Sequence, residues 1–203
     1  MAIKTRKPPM KQTVGAQYVC FDSNKDEEFT GEYEESVEKT EVVKTVKMTE
    51  NAETSDTYAS GKVYDSDTPT KSIDIEVEVV AFPEDTVARM KGDTVDAGGL
   101  ILSGGGSKRP FFAYGKVVKL RNGGYRFEWY PKCKLTEKSD DISTSEEKAS
   151  DQTDTIKIKA YPFDETGNIV ARVESGSAPE GLTEDKFFAK PILTKEGLAA
   201  AIA

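Results

Sequence analysis

The clearest pattern in the chain is a strict alternation over Ser72–Ala81. Ile73, Ile75, Val77 and Val79 fall on one side there, and Asp74, Glu76 and Glu78 on the other. A period of two is the mark of a half-buried β-strand. Val14–Phe21 reads as another strand. Lys39–Met48 alternates less cleanly, with Val42, Lys44, Val46 and Met48 on one side and Val43 and Lys47 on the other. Between these segments Glu50–Ser60 is polar and aperiodic, which predicts a long excursion loop or a polar hairpin tip, with Gly61–Tyr64 beginning its return. Phe111–Leu120 and Tyr125–Leu135 flank Arg121–Gly124, whose Asn-Gly pair signals a hairpin. Asp154–Tyr161 and Asn168–Glu174 predict a second hairpin across the sequence DETGN.

One helix is well signalled at Pro83–Lys91. Pro83 opens it, Glu84 and Asp85 occupy the first turn, Arg89 and Lys91 the last, and Gly92 stops it. Val87 and Met90 form an i, i+3 pair able to seat on a sheet. A short helix is also expected at Thr183–Lys190 before Pro191, followed by a small-residue end, GLAAAIA. These elements predict a mainly β fold: two packed antiparallel sheets, as a β-sandwich or partly closed barrel, with one short flanking helix. Residues 1–13 read as a basic, flexible N-terminal arm. Residues 14–193 read as the domain, with long polar loops at 26–38, 49–60 and 139–153, and residues 194–203 as a C-terminal tail. The Asp26–Glu38 stretch holds seven carboxylates and is expected to be exposed.

Composition narrows the function. Leu, Ile, Val and Phe number 42 of 203 residues, close to the level of about 20% at which chains become disordered. A core this thin gains order from partners. The net charge of −8 argues against a surface that coats a phosphate backbone, and the absence of histidine removes the commonest general base and metal ligand. Cys20 and Cys133 fit no zinc or redox spacing and read as two separate thiols. GGGSK at 104–108 is not a phosphate loop, because its Ser precedes the Lys and Pro110 follows closely. DSNKDEEFTGEY at 22–33 lacks the Gly and Glu that a calcium loop needs at its sixth and twelfth positions. Phe127 and Trp129 alternate as core residues rather than as a sugar platform. The chain has no run of some 18 apolar residues to span a membrane, and its basic first residues lack the apolar core of a signal peptide. No cofactor is implied, and a cytoplasmic site of synthesis is expected.

At Pro110–Leu135 the residues take a familiar form. PFFAYGKVVKLRNGGYRFEWYPKCKL resembles the major tail proteins (tail tube proteins) of long-tailed siphophages: an apolar strand ending in Ala-x-Gly, a Gly-rich hairpin, and an aromatic strand closing on x-Lys-x-x-Leu. SDDISTSEEKASDQTDTIKIKAY downstream, and TYASGKVYDSD followed by a strand and a helix ending MKG upstream, are similar in order. The resemblance spans roughly Lys39–Glu174. It implies a structural virion protein without catalytic activity. Such a protein assembles with itself as hexameric rings stacked into a tube around a tape-measure protein. Tail terminator and baseplate or distal tail proteins cap the tube, and DNA passes through the lumen without specific binding. Localisation in the virion tail, with assembly in the host cytoplasm, follows. A tube protein of a contractile injection system shares this architecture, and a β-sandwich carbohydrate-binding module is the alternative from another class. Within the tube reading, Glu50, Asn51, Glu53, Asp56 and Tyr58 are expected in a ring-stacking loop. Asp74, Glu76 and Glu78 form either an ordinary solvated face or a row of acids along the lumen.

Overall fold

The computed structural model describes residues 7–24, 28–96, 98–104, 108–140, 142 and 153–202. Its strands in chain order begin with β1 (Lys11–Phe21), β2 (Glu38–Thr40), β3 (Val43–Ala52), β4 (Ser55–Ala59), β5 (Lys62–Asp67) and β6 (Thr70–Val79). Helix α1 (Glu84–Lys91) follows, then β7 (Thr94–Val95), β8 (Ile101–Leu102), β9 (Phe112–Leu120), β10 (Tyr125–Asp140), β11 (Asp154–Ala160) and β12 (Ala171–Glu174). Helices α2 (Glu184–Phe188) and α3 (Lys195–Ile202) close the chain.

The fold is mainly β, antiparallel throughout, and not closed into a barrel. Eight strands share one sheet in the order β2-β1-β9-β10-β11-β6-β3, with β12 also on β10. The packed layers are therefore two reaches of a single bent sheet. Strand β10 makes this possible. One of its edges carries β9; the other carries β12 on Arg126–Trp129 and then β11 on Cys133–Asp140. Pro131 lies where the register against β9 shifts, between Tyr130 and Cys133. A residue without an N–H is tolerated in a central strand at such an irregularity, which also bends the strand.

The expected hairpin of Asp154–Tyr161 with Asn168–Glu174 does not form. Strands β11 and β12 both pair with β10, one after the other. The Asp164 carboxylate accepts from Asn168 N at 2.9 Å, Asn168 Nδ2 at 2.7 Å and Thr166 Oγ1 at 2.9 Å, holding a tight turn. The length of β10, 16 residues, leaves room on one edge for both segments in turn.

Two cores result. The first lies between the layers and joins Ile73, Ile75, Val77 and Val79 of β6 to Val19, Tyr114, Tyr130, Ile156 and Ile158. Val87 and Met90 of α1 sit within it at 1% and 0% exposure, as their spacing predicts. Gly92 ends α1 with φ 73°, and a Cβ there would collide with the Lys108 carbonyl oxygen. The second core covers the outer side of β1, β9 and β10. Phe127 and Trp129 meet Phe187 and Phe188 of α2, Trp129 Nε1 donates to Phe187 O at 3.1 Å, and Phe188 stacks on Tyr18. Buried on both faces, β9 reads as a near-continuous apolar run. Within the expected C-terminal tail, Lys195–Ile202 form α3, whose Leu198, Ala201 and Ile202 rest on this core.

The acidic stretch is only partly solvated. Tyr33 is buried and donates to Pro131 O at 3.0 Å. Glu34 and Glu38 bind Arg89 at 2.7 and 3.2 Å, and Thr86 donates to Glu38 at 2.6 Å. Helix α1 supplies the cation that draws these carboxylates in. Residues 25–27, which include Asp26 and Glu27, and most of the 139–153 loop lie outside the described residues.

Candidate assembly surfaces

The Glu50–Ser60 segment does not behave as one loop. Glu50 and Asn51 belong to β3, opposite Ile73 and Ser72. Asn51 Nδ2 donates to Asp74 Oδ2 at 2.8 Å and Ser72 Oγ at 3.2 Å. Glu53 pairs with Lys71 at the base of an excursion, and that bond holds its carboxyl below the usual range. Asp56 and Tyr58 then lie on β4, which forms with β5 a two-stranded arm in which every residue is exposed. Ser66 Oγ donates to Asp56 Oδ1 at 2.6 Å across it. Its turn has positive φ at both Ser60 and Gly61, the geometry that matches strand twist in a two-residue hairpin. The Ser-Gly dipeptide was the readable signal.

Among the described residues the arm lies against no core, yet it carries apolar surface. Tyr58 and Val63 are directly paired, 69% and 53% exposed, and Tyr64 is 80% exposed. An isolated two-stranded hairpin is marginal in water, and aromatic side chains held this far from any core are characteristic of contact surfaces. A smaller hairpin, β7 with β8, exposes Val95, Leu100 and Leu102.

The three acids of β6 do share a solvent face, but they are not a bare acidic row. In register, Glu76 lies between Lys47 of β3 and Lys157 of β11, and Asp74 lies between Thr49 and Lys159. Glu78 accepts from Thr45 at 3.2 Å and sits 3.9 Å from Lys44. Lys157 also binds Glu137 at 2.8 Å, which raises its pKa. Four lysines thus interleave with four carboxylates, Asp74, Glu76, Glu78 and Glu137. The face is close to neutral.

A chain of polar residues crosses the interior of the sheet. Gln17, Lys116, Glu128 and Arg172 are successive register partners across β1, β9, β10 and β12. Lys116 and Glu128 pair at 2.9 Å with side chains 5% and 2% exposed. Burial pushes the Lys116 pKa down against the pull of Glu128. Tyr130 donates to Glu128 at 3.0 Å, and Gln17 Nε2 is buried without an acceptor among the described residues. The loop that joins β9 and β10 is residues 121–123, closed by Leu120 N donating to Gly124 O at 2.8 Å, and this register, one residue off that of a four-residue turn at Arg121–Gly124, sets Lys116 opposite Glu128.

Among the described residues no group of three or more Cys, Asp or Glu is placed to hold a metal, and no helix is long and apolar enough to cross a membrane. What distinguishes the fold is projecting contact surface and open strand edge, the character of a structural subunit. The profile of the family described as Phage tail tube protein matches residues 29–194, most of the chain, and the chain belongs to that family. It is a structural protein of the virion tail, built to assemble into a tube with other tail proteins. No curated protein sequence matches it.

Proposed function

We propose that this chain polymerises as stacked hexameric rings into the tail tube through which DNA passes into the host. The observation that carries the reading is the β4–β5 arm, exposed along its whole length and bearing Tyr58, Val63 and Tyr64. From Ala52 to the turn it runs about eight residues, roughly 25 Å at strand rise, enough to reach another subunit. Glu53, Asp56 and Tyr58 belong to this ring-stacking element, with Glu50 and Asn51 fixing its root in β3.

Lateral contacts follow from the sheet. Strand β3 is an edge of ten residues, with one side of its backbone unpaired among the described residues, and joining sheets between neighbours removes such edges. The layer of β1, β9 and β10 is roofed by α2 and α3, whereas among the described residues nothing covers the outer face of β3, β6 and β11. That bare face, with Asp74, Glu76 and Glu78, lines the lumen. Its interleaved lysines make a near-neutral wall, which neither holds phosphates nor strongly repels them. Assembly takes place in the host cytoplasm around a tape-measure protein, between a distal tail complex and a terminator.

Electron microscopy of the purified protein, alone and with its tail initiator, tests this. Tubes of constant diameter with an axial channel are expected. Replacing Glu53–Pro69 by a short Gly-Ser linker removes no core contact and should leave a folded monomer that does not polymerise. Normal tubes from that variant would remove the arm from the mechanism.

A further inference from the structure

We infer that the groove between α2 and α3 is the docking site for the β4–β5 arm of a second copy of this chain; the inference rests on the tube reading above. The groove has a volume of about 560 Å³ and an apolar floor that includes Ala189, Pro191, Ile192 and Ala200. This lies within the range of roughly 300–1,000 Å³ typical of sites that enclose a ligand. One wall is α3, a run of Leu198, Ala199, Ala200, Ala201 and Ile202 in which no residue is fully buried. A helix this short is marginal alone and gains from a cover on its free side.

Three observations select the arm as that cover. Its tip presents a compact apolar cluster, the cross-strand pair Tyr58–Val63 with Tyr64 beside it. Its charge is complementary. Residues 53–67 hold four acids, Glu53, Asp56, Asp65 and Asp67, against Lys62 alone, whereas the groove is rimmed by Lys186 and Lys190 against Asp185. The other exposed apolar element, β7–β8, suits the arm poorly, because it is a projecting hairpin whose segment 93–102 carries Asp93 and Asp96 and no cation. The occupant is another copy because α2 and α3 roof the outer side of the β1–β9–β10 layer. The arm springs from β3 and β6, across the first core from that layer.

Cysteine pairing tests the contact, since Cys20 and Cys133 are both 0% exposed and will not compete. Tubes of the Tyr58→Cys/Ala200→Cys variant, mildly oxidised, should give a ladder of covalent multimers on a denaturing gel. Tyr58→Cys/Leu100→Cys should give none. Independently, Lys190→Glu should raise the concentration needed for tube formation about fivefold at low salt, and adding Asp65→Lys should restore it. Tubes that form without the 58–200 ladder, or with a 58–100 ladder instead, overturn the groove while leaving the tube reading intact. Absence of tubes from the parent chain overturns both.

Discussion

The buried pair Lys116–Glu128 offers the sharpest test of the energetics. Replacing Glu128 with Gln keeps the shape and an acceptor for Tyr130 but leaves the Lys116 ammonium inside the protein without a counter-ion. Arg126 cannot help. It carries the same charge, lies 3.9 Å from Glu128 and is itself bound to Glu174 at 2.8 Å. Removing one partner of a buried pair costs ~3–5 kcal/mol, whereas exchanging both for apolar residues is neutral or stabilising by ~1–4 kcal/mol. Glu128→Gln should therefore lose most of that range in urea unfolding, and Lys116→Met/Glu128→Leu should recover it. A pH signature accompanies the single variant. Without Glu128 the Lys116 pKa falls further below its ordinary 10.5. Between the folded and unfolded values the unfolded chain then binds more protons, so stability rises with pH. The deficit of Glu128→Gln against the parent should accordingly shrink as pH rises from 6 toward 9.5, with shared groups cancelling in the comparison. A deficit under ~1 kcal/mol that is flat with pH would show that Lys116 is solvated and that the pair contributes only as a surface contact would.

Two further outcomes are expected. Gly115→Ala places a methyl 2.8 Å from Phe188 and 2.9 Å from Trp129, and should cost ~1–3 kcal/mol by overpacking, read as a lower urea midpoint; an unchanged midpoint would mean that α2 yields freely. Asp74→Asn/Glu76→Gln/Glu78→Gln should leave the fold intact but free Lys44, Lys47 and Lys159 of their acidic neighbours, while Lys157 keeps Glu137. Tubes of this variant should retain DNA at low ionic strength and release it as salt rises, whereas indifference to DNA would place this face on the outside of the tube.

Much of the fold was legible because its signals are local. The alternation at Ile73–Val79 identifies β6 and its buried side, since a strand exposes every second residue to the same environment. Helix α1 is written in Pro83, its charged termini and Gly92. The Asn-Gly signal marks the β9–β10 hairpin, although the loop that forms is residues 121–123, and only that register brings Lys116 opposite Glu128. Of the two readings of Glu50–Ser60, loop or polar hairpin tip, the hairpin is the one that forms, with its return beginning at Lys62; an arm without a core to face shows no apolar alternation that could have chosen between them.

What the sequence could not decide is which distant segments share a strand edge. β12 lies near β11 in the chain, yet both pair with β10, whose 16 residues take β12 before Pro131 and β11 after it. The acids of β6 looked like an unbroken row until the register placed Lys47 on one side and Lys157 and Lys159 on the other. Glu34 and Glu38 looked solvated until α1 brought Arg89 to them. Alternation, caps and turns are settled within a few residues of backbone geometry. Charge environment and strand partnership depend on contacts tens of residues apart, chosen by the burial of the whole chain, and only the tertiary structure contains them.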